Sequence, residues 1–263
     1  LGRLSTSTEN SPLSNRTVVI EAVVENFDLK AKVLRELELK MPKTAILATN
    51  TSALSITELS RDLLRPENFI GIHFFNPVHK MKLVEIVVGE KTSEETVDKA
   101  ITFVKNIGKL PVVVKDSPGF LVNRILMPYL IEAVRLFSEG NSTEIIDKVM
   151  LDFGMPMGPL RLLDEIGIDV AAHVAMDLEK RLAGFTVPAI LKKILKTEKF
   201  GKKTGQGFYI YRRGESIGAN PLFNDLQRKE KTKNKSLLLE KMVSSMIKES
   251  EKCVKEKIVD SED

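Results

Sequence analysis

The sequence predicts an α/β domain followed by an all-helical one. Over the first ~115 residues, short β-branched runs alternate with helical periods, the pattern of an open parallel sheet. After "DSPGF" (116–120) the chain reads almost wholly helical, and Pro118 and Gly119 mark the break. A length of 263 residues suits about two domains. The expected layout is an α/β part over 1–116, a helical part over 117–212, a linker over 213–236 and, over 237–263, the start of a second helical repeat.

Each element has its own signal. "TVVIEA" (17–22) is a β-branched run. "FDLKAKVLRELELKM" (27–41) sets Leu29, Val33, Leu37 and Met41 four apart, one apolar stripe on a helix that Pro42 stops. "AILAT" (45–49) reads as a strand, and Ser55 with Glu58 has capping-box spacing for the helix after it. "FIGIHF" (69–74) and "KLVEIVV" (82–88) are two further strands. Thr92 and Glu95 repeat the capping spacing, Val97, Ile101 and Val104 form a helical face, and Gly108 ends it. "PVVVK" (111–115) is the last strand.

Helices follow over 120–139, 142–153, much of 159–182, and near 188–196. "GKKTGQGFYIY" (201–211) reads as a glycine-rich turn and a short extended piece. It lacks the spacing of a phosphate loop, so its role is structural. "LQRKEKTKNKS" (226–236) is charged and polar, the core of the expected linker. "RILMPYLIEAVRLFSEG" (124–140) and "KMVSSMIKESEKCVKEK" (241–257) align without gaps, Glu132 on Glu249 and Arg135 on Lys252. Two amphipathic helices of the same period would produce much of that match. Ile125, Leu126, Leu130, Ile131 and Val134 make the first of them apolar over much of its circumference. That calls for burial on several sides, by its own domain or by a partner.

Composition removes some functions. Hydrophobic residues are 43% and charged ones 29%, ordinary for a globular protein, and a net charge of +4 is no basic stripe for nucleic acid. A single cysteine, Cys253, excludes an internal disulfide framework. No run of 18 apolar residues suggests a membrane span, and the N-terminus does not read as a secretory signal. No two of the three histidines stand at metal-ligand spacing with a supporting cysteine or carboxylate, so no metal is expected.

The chemistry gathers at strand ends, where open parallel sheets bind ligands. Glu25 follows the first strand; Asn50, Thr51 and Ser52 follow the second; His73 closes the third, with Asn76 just after it. An imidazole titrates near neutrality and can take a proton, and a carboxylate on its other nitrogen would fix the tautomer. Glu85, inside an apolar run, would be that carboxylate if strands 69–74 and 82–88 lie side by side. An equal claim belongs to the plainer reading, in which His73 is a hydrogen-bonded rim residue. His79 and His173 have no such setting.

At these residues the chain resembles the L-3-hydroxyacyl-CoA dehydrogenase family. "VIEAVVEN", "ATNTSALSI", "GIHFFNPVHKMKLVEIV", "VKDSPGFLVNRI", "FGMPMGPLRLLD" and "FGKKTGQGFYIY" resemble its segments in its order, over roughly residues 4–211. The resemblance implies a Rossmann-like NAD-binding domain, then a helical domain that often forms dimers, and oxidation of 3-hydroxyacyl-CoA to 3-ketoacyl-CoA with NAD. It implies that His73 is the base and Glu85 its partner. Ser52 and Asn123 would hold the substrate oxygen, Glu25 and Lys30 would contact the cofactor, and Asn50 and Asn76 would share its pocket. Only the resemblance singles out Asn123.

There is one departure. No G-x-G-x-x-G occurs, and the resemblance implies that the chain starts just before the family's fourth strand. The expectation is therefore an incomplete Rossmann-like sheet. It would be the central piece of a cytoplasmic multifunctional fatty-acid oxidation enzyme that carries an enoyl-CoA hydratase part elsewhere. Such a piece is expected to pair with a second helical repeat, a thiolase-type partner or its own copy, and by itself to bind NAD weakly. The competing reading is a non-catalytic acyl-CoA-binding or helical dimerisation module.

Overall fold

A computed structural model describes residues 5–8, 11–228 and 234–260. The chain forms two compact units. One runs to Leu121 and takes in the chain again from Cys253; the other is Val122–Lys252.

The first unit holds a five-stranded sheet in the order of the sequence: β1 (Val18–Glu21), β2 (Ile46–Thr49), β3 (Phe69–Phe74), β4 (Leu83–Val88) and β5 (Leu110–Lys115). β1, β2 and β3 are parallel, joined by α1 (Phe27–Lys40) and by α2 (Ile56–Leu59) with its flanking turns. The sheet is parallel-dominated, as a Rossmann-like sheet should be, and only the pairing of β4 with β3 is antiparallel. The physical reason is the connection: loop 75–82 has no crossover helix, and a short loop can return only antiparallel. α3 (Glu94–Asn106) then carries the chain over to β5, parallel to β4.

Alternation along the strands sorts the two faces. Ile46, Ala48, Ile70, Ile72, Val84 and Ile86 pack with Ala100 and Val104 of α3. Gly71, His73, Glu85 and Val87 point to the opposite face. A Cβ on Gly71 would stand 2.8 Å from side-chain atoms of Ile56 and Val87, so only glycine lets α2 lie this close.

α1 departs from its expected stripe. It buries Lys30, Leu34 and Glu38, while Leu29 is exposed. The two buried charges are compensated: Lys30 by Glu21 on β1, and Glu38 by the backbone amides of Leu64 and Arg65. Partner geometry outranked apolar period here. The cap of α3 also moves by one residue, because Ser93 accepts from Thr96 N while Thr92 Oγ1 donates to the carbonyl of Phe69.

The second unit contains α4 (Val122–Ser138), α5 (Thr143–Phe153), α6 (Pro159–Ile166), α7 (Ile168–Arg181), α8 (Ala189–Leu195), the hairpin β6 (Tyr209–Arg212) and β7 (Glu215–Ala219), α9 (Pro221–Asn224) and most of α10 (Lys235–Lys255). Gly167, at φ 98°, splits the single helix expected over 159–182 into α6 and α7. Leu130, Ile131, Val134 and Phe137 of α4 are buried within this unit's own core, so the apolar circumference of that helix is no argument for association.

Two domain expectations change. The linker expected over 213–236 instead begins with packed structure: β7 pairs with β6, and Phe223 of α9 is fully buried against Phe208. The segment expected to start a second repeat shares the existing core through Leu238 and Met242. After α10 the carbonyl of Ile258 accepts from Lys115 N at the end of β5. The ungapped match with α4 does have a structural counterpart. Glu132–Arg135 and Glu249–Lys252 form the same i,i+3 ion pair, and Glu249 also takes Arg124 at 2.8 Å.

Two buried carboxylates organise the glycine-rich motifs. Asp147 accepts from the amides of Leu160 and Arg161 at the start of α6 and from Tyr209 Oη. Asp164 accepts from the amides of Phe208 and Tyr209 and from Tyr211 Oη. A Cβ on Gly158 would lie 2.2 Å from the Asp147 carboxyl carbon, and one on Gly207 2.0 Å from Asp164 Oδ1. Gly158 of "GMPMGP" and Gly207 of "GKKTGQGF" are thus cut to fit two aspartates.

Burial raises both carboxyls to about 6, outweighing the hydrogen bonds that lower them. A folded-state value above the ordinary 3.8 means that these groups favour folding most below pH 4. That contribution is lost as pH rises through 6. Asp164→Asn removes one of the two titrations, so the stability of the wild type relative to this variant should fall by on the order of 2 kcal/mol between pH 4 and 7. Urea unfolding of both proteins at the two pH values measures it, and a pH-independent difference would refute the assignment.

Candidate active site

His73 and Glu85 face each other across the antiparallel register of β3 and β4. His73 Nδ1 lies 2.7 Å from Glu85 Oε2, and both side chains are buried, Glu85 completely. An ionised carboxylate can only accept, so Nδ1 carries the hydrogen and Nε2 is left as the basic nitrogen. The other oxygen, Glu85 Oε1, accepts from Leu121 N at 2.9 Å. A charge that would cost several kcal/mol if buried alone is therefore met on both oxygens.

The loop from Asp116 to Leu121 makes this possible. Asp116 Oδ2 accepts from Ser55 Oγ and Thr57 N, which ties the loop to α2. Gly119 and Phe120 both take positive φ, 76° and 53°. For phenylalanine that backbone is strained, and the strain is held by complete burial of its ring. The Phe120 ring meets the His73 imidazole edge-on, 5.8 Å between centroids, and Phe75 lies 4.4 Å away on a tilted plane. The histidine thus has a carboxylate on one nitrogen and aromatic walls beside it. It is more than a rim residue with one hydrogen bond.

At the neighbouring strand ends a second buried network appears. Lys30 has no exposed side-chain surface; its Nζ reaches Glu21 Oε1 at 3.0 Å, the carbonyls of Val23 and Asn50, and Glu25 Oε2 at 3.6 Å. Glu21 also accepts from Thr49 Oγ1 and Val23 N. Glu25 Oε1 accepts from Thr51 Oγ1 at 2.5 Å and from Ser52 N at 2.9 Å. Asn50 joins β1 to β3: its amide donates to the Glu21 carbonyl and its Oδ1 accepts from Phe74 N, next to His73.

The sheet therefore brings His73, Glu85, Asn50, Ser52 and Glu25 to one unit's strand edge, with Lys30 beneath them. Asn76 is exposed in the loop after β3, and Asn123 is the second residue of α4, in the helical unit. His79 and His173 are exposed. Among the described residues no cluster of three His, Cys, Asp or Glu side chains stands ready for a metal. Sequence reasoning missed Glu21, Thr49 and Phe120. Glu21 carried a readable signal, since a carboxylate ending "VVIE" raises the same question as Glu85 in "LVEIVV". Phe120 carried none, because its approach to His73 depends on a loop conformation.

Two family models match the chain in succession. The NAD binding domain of 3-hydroxyacyl-CoA dehydrogenase covers residues 1–117 and its C-terminal domain covers 119–211. The fatty acid oxidation complex subunit alpha of Shewanella amazonensis is 40% identical over 264 residues, 98% of this chain and 37% of that relative. The solved (S)-3-hydroxybutyryl-CoA dehydrogenase of Ralstonia eutropha is 41% identical with TM-score 0.76, over 79% of this chain and 75% of that one. The solved dehydrogenase part of multifunctional enzyme 1 from C. elegans is 31% identical with TM-score 0.67, over 96% of this chain and 59% of that one. The chain thus spans well under half the length of the curated relatives it matches.

The Lys30 network predicts a stability effect. Lys30→Met keeps the stem but leaves the buried Glu21 carboxylate without its cation, which should cost about 3–5 kcal/mol. Glu21→Gln in the Lys30→Met background should restore part of that loss, because the buried anion is then gone. Chemical denaturation of the two variants reads both effects; a loss under about 1 kcal/mol for Lys30→Met would show the pair to be incidental.

Proposed function

The chain belongs to the 3-hydroxyacyl-CoA dehydrogenase family, and on that premise we propose that its protein oxidises L-3-hydroxyacyl-CoA to 3-ketoacyl-CoA with NAD, in fatty-acid β-oxidation. The observation that carries the proposal is the His73–Glu85 pair, buried at the edge where three strand ends meet. Nε2 of His73 takes the proton of the substrate's 3-hydroxyl. Glu85 holds the ring in the tautomer that leaves Nε2 basic and stabilises the imidazolium that forms. Ser52 holds the substrate oxygen, and Asn123, from the helical part, is assigned the same oxygen. Phe75 and Phe120 keep water from the imidazole.

The strand edge fits the nicotinamide-ribose end of the cofactor. Glu25 is partly exposed, 42% at its side chain, and can accept from hydroxyl groups, with Asn50 and Asn76 nearby in sequence order along the same edge. Lys30, fully buried, acts through Glu25 and not by direct contact. Bound NAD supplies the acceptor for the hydride that leaves the carbinol carbon.

The same reading places the chain within a larger cytoplasmic β-oxidation enzyme with an enoyl-CoA hydratase part. It would assemble with a second helical repeat, a thiolase-type partner or its own copy. Its support is the kind of relative the chain has, the alpha subunit of a fatty acid oxidation complex. Among the described residues no helix is long and apolar enough to cross a membrane.

Mutation of the pair tests the chemistry. In the protein as its gene encodes it, His73→Gln should lower turnover of a 3-hydroxyacyl-CoA by ~10²–10⁴-fold with little change in the KM for NAD. Glu85→Gln should lower it by a smaller factor, since the base remains but loses its orienting partner. Steady-state NADH production measures both, and a fall of less than tenfold for His73→Gln would remove it as the base.

A further inference from the structure

Resting on the dehydrogenase reading above, we infer that Asp116 is a positioning residue for the reaction. It couples the loop that carries Ser52 to the loop that clamps Glu85, and so sets the base against the substrate oxygen. Asp116 follows β5 and is half-buried. Its amide donates to the carbonyl of Val88 at the end of β4, and the amide of Lys115 before it donates to the carbonyl of Ile258. The backbone here is therefore pinned to two other segments of the same unit. From that fixed place one carboxylate oxygen, Oδ2, takes two donors: Ser55 Oγ at 2.6 Å and Thr57 N at 2.8 Å.

A short hydrogen-bonded path runs from Asp116 to each half of the site. Toward the base, Phe120 N donates to the Ser117 carbonyl at 2.9 Å and Ser117 Oγ donates to the Phe120 carbonyl at 3.3 Å, so residues 117–120 close on themselves as one turn. Leu121, next in the chain, presents the amide that meets Glu85 Oε1, and Phe120 walls the imidazole. Toward the oxygen, Thr51 Oγ1 accepts from Leu54 N at 3.0 Å, which closes the turn between Ser52 and Ser55. Ser52 N is itself held by Glu25. Both turns are stitched within themselves, and Asp116 is the side chain that ties one to the other.

The seat of α2 explains why such a tie is needed. Ile56 is fully buried and packs where Gly71 pairs with Val87, beside the His73–Glu85 pair on the same sheet face. That contact is apolar, and apolar attraction has no direction, so by itself it holds α2 on the sheet without fixing its slide. The two bonds to Asp116 are directional, and both are strengthened by the carboxylate charge. They also converge on a single oxygen. The amide oxygen that Asp116→Asn leaves in that place can accept both, whereas Asp116→Ala can accept neither. Asp116 acts through Ser55 and Leu121, which makes it a positioning residue and not a catalytic one.

The test is steady-state oxidation of a 3-hydroxyacyl-CoA by Asp116→Ala, Asp116→Asn and Ser55→Ala in the protein as its gene encodes it. Asp116→Ala should lower kcat by about 10–100-fold with KM for NAD within about twofold, as when reacting groups are held slightly out of place. Asp116→Asn should recover most of that loss. Ser55→Ala, which leaves Thr57 N on Asp116, should lose less than Asp116→Ala. In a His73→Gln background Asp116→Ala should cost much less than it does in the wild type, because the base it places is already gone. One readout needs no turnover. The His73 Nδ1 proton, in its short hydrogen bond to Glu85, gives a far-downfield proton NMR resonance, identified by its absence from His73→Gln. It should shift or broaden in Asp116→Ala and persist in Asp116→Asn. A folded Asp116→Ala with kcat within about threefold of wild type overturns the proposal, as does an equal loss in both backgrounds, which would make Asp116 merely structural. If Asp116→Ala does not fold, Ser55→Ala decides by the same readouts, and an unchanged kcat and resonance overturn the proposal. A wild type without dehydrogenase activity would instead overturn the reading of function, and the resonance would still decide Asp116.

Discussion

Glu85 is a carboxylate with no exposed surface in the middle of a strand, and much of the α/β unit is arranged to satisfy it. One oxygen needs His73, and that requires β4 to return antiparallel beside β3 in one particular register. A slip of one residue would turn the carboxylate to the apolar face packed by α3. The other oxygen needs Leu121 N, and that requires the chain to double back after β5 through Gly119 and a left-handed Phe120. The strained residue and the buried charge are parts of one arrangement, and together they enclose the imidazole. The constraint that stabilises the unit is also the one that prepares the base.

The same logic recurs three more times. Glu21 is buried at the end of β1 and met by Lys30 and Thr49. Asp147 and Asp164 are buried in the helical unit and met by backbone amides and tyrosine hydroxyls. Glu21 and Asp147 each collect donors from two elements, and Asp164 ties α6 to the β6 segment, so each acts as a directional joint where apolar packing alone would permit sliding. The compensation differs between the units. In the α/β unit Glu21 and Glu85 each have one partner that is cationic or can become so, Lys30 and His73, which suits groups beside a site that handles protons. In the helical unit they are mostly neutral, and burial leaves both carboxyls raised to about 6.

Charge is also distributed across the strand edge. Acids stand at and just after the end of β1, the imidazole at the end of β3, and lysines beyond the starts of β4 and β5. A sheet with parallel strands on one side and an antiparallel turn at its centre can present two kinds of loop at one edge: strand-to-helix loops, which here carry acceptors, and a hairpin-like loop, which here carries cations. The antiparallel step at β4 is thus what sets unlike charge on either side of the base.

Much of this was legible in the sequence because it rests on local rules. The strands at 69–74 and 82–88, the cap at Ser55 and the break near Gly119 follow from side-chain period, capping chemistry and glycine freedom, all of which act over a few residues. The pairing of His73 with Glu85 could be inferred because two adjacent strands joined by a short loop have few ways to meet. The buried face of α1 could not, because Lys30 and Glu38 replace apolar residues only where Glu21 and the amides after Leu63 are brought to them by other elements. Nor could the packing of β7 and α9 where a linker was expected, since Phe223 meets Phe208 only when the β6–β7 hairpin between them folds back. Local periodicity determined which segments are strands and helices. Which charges could be buried, and therefore which way several of those elements face, was decided only when distant donors and acceptors met, because a buried charge is stable only beside its partner.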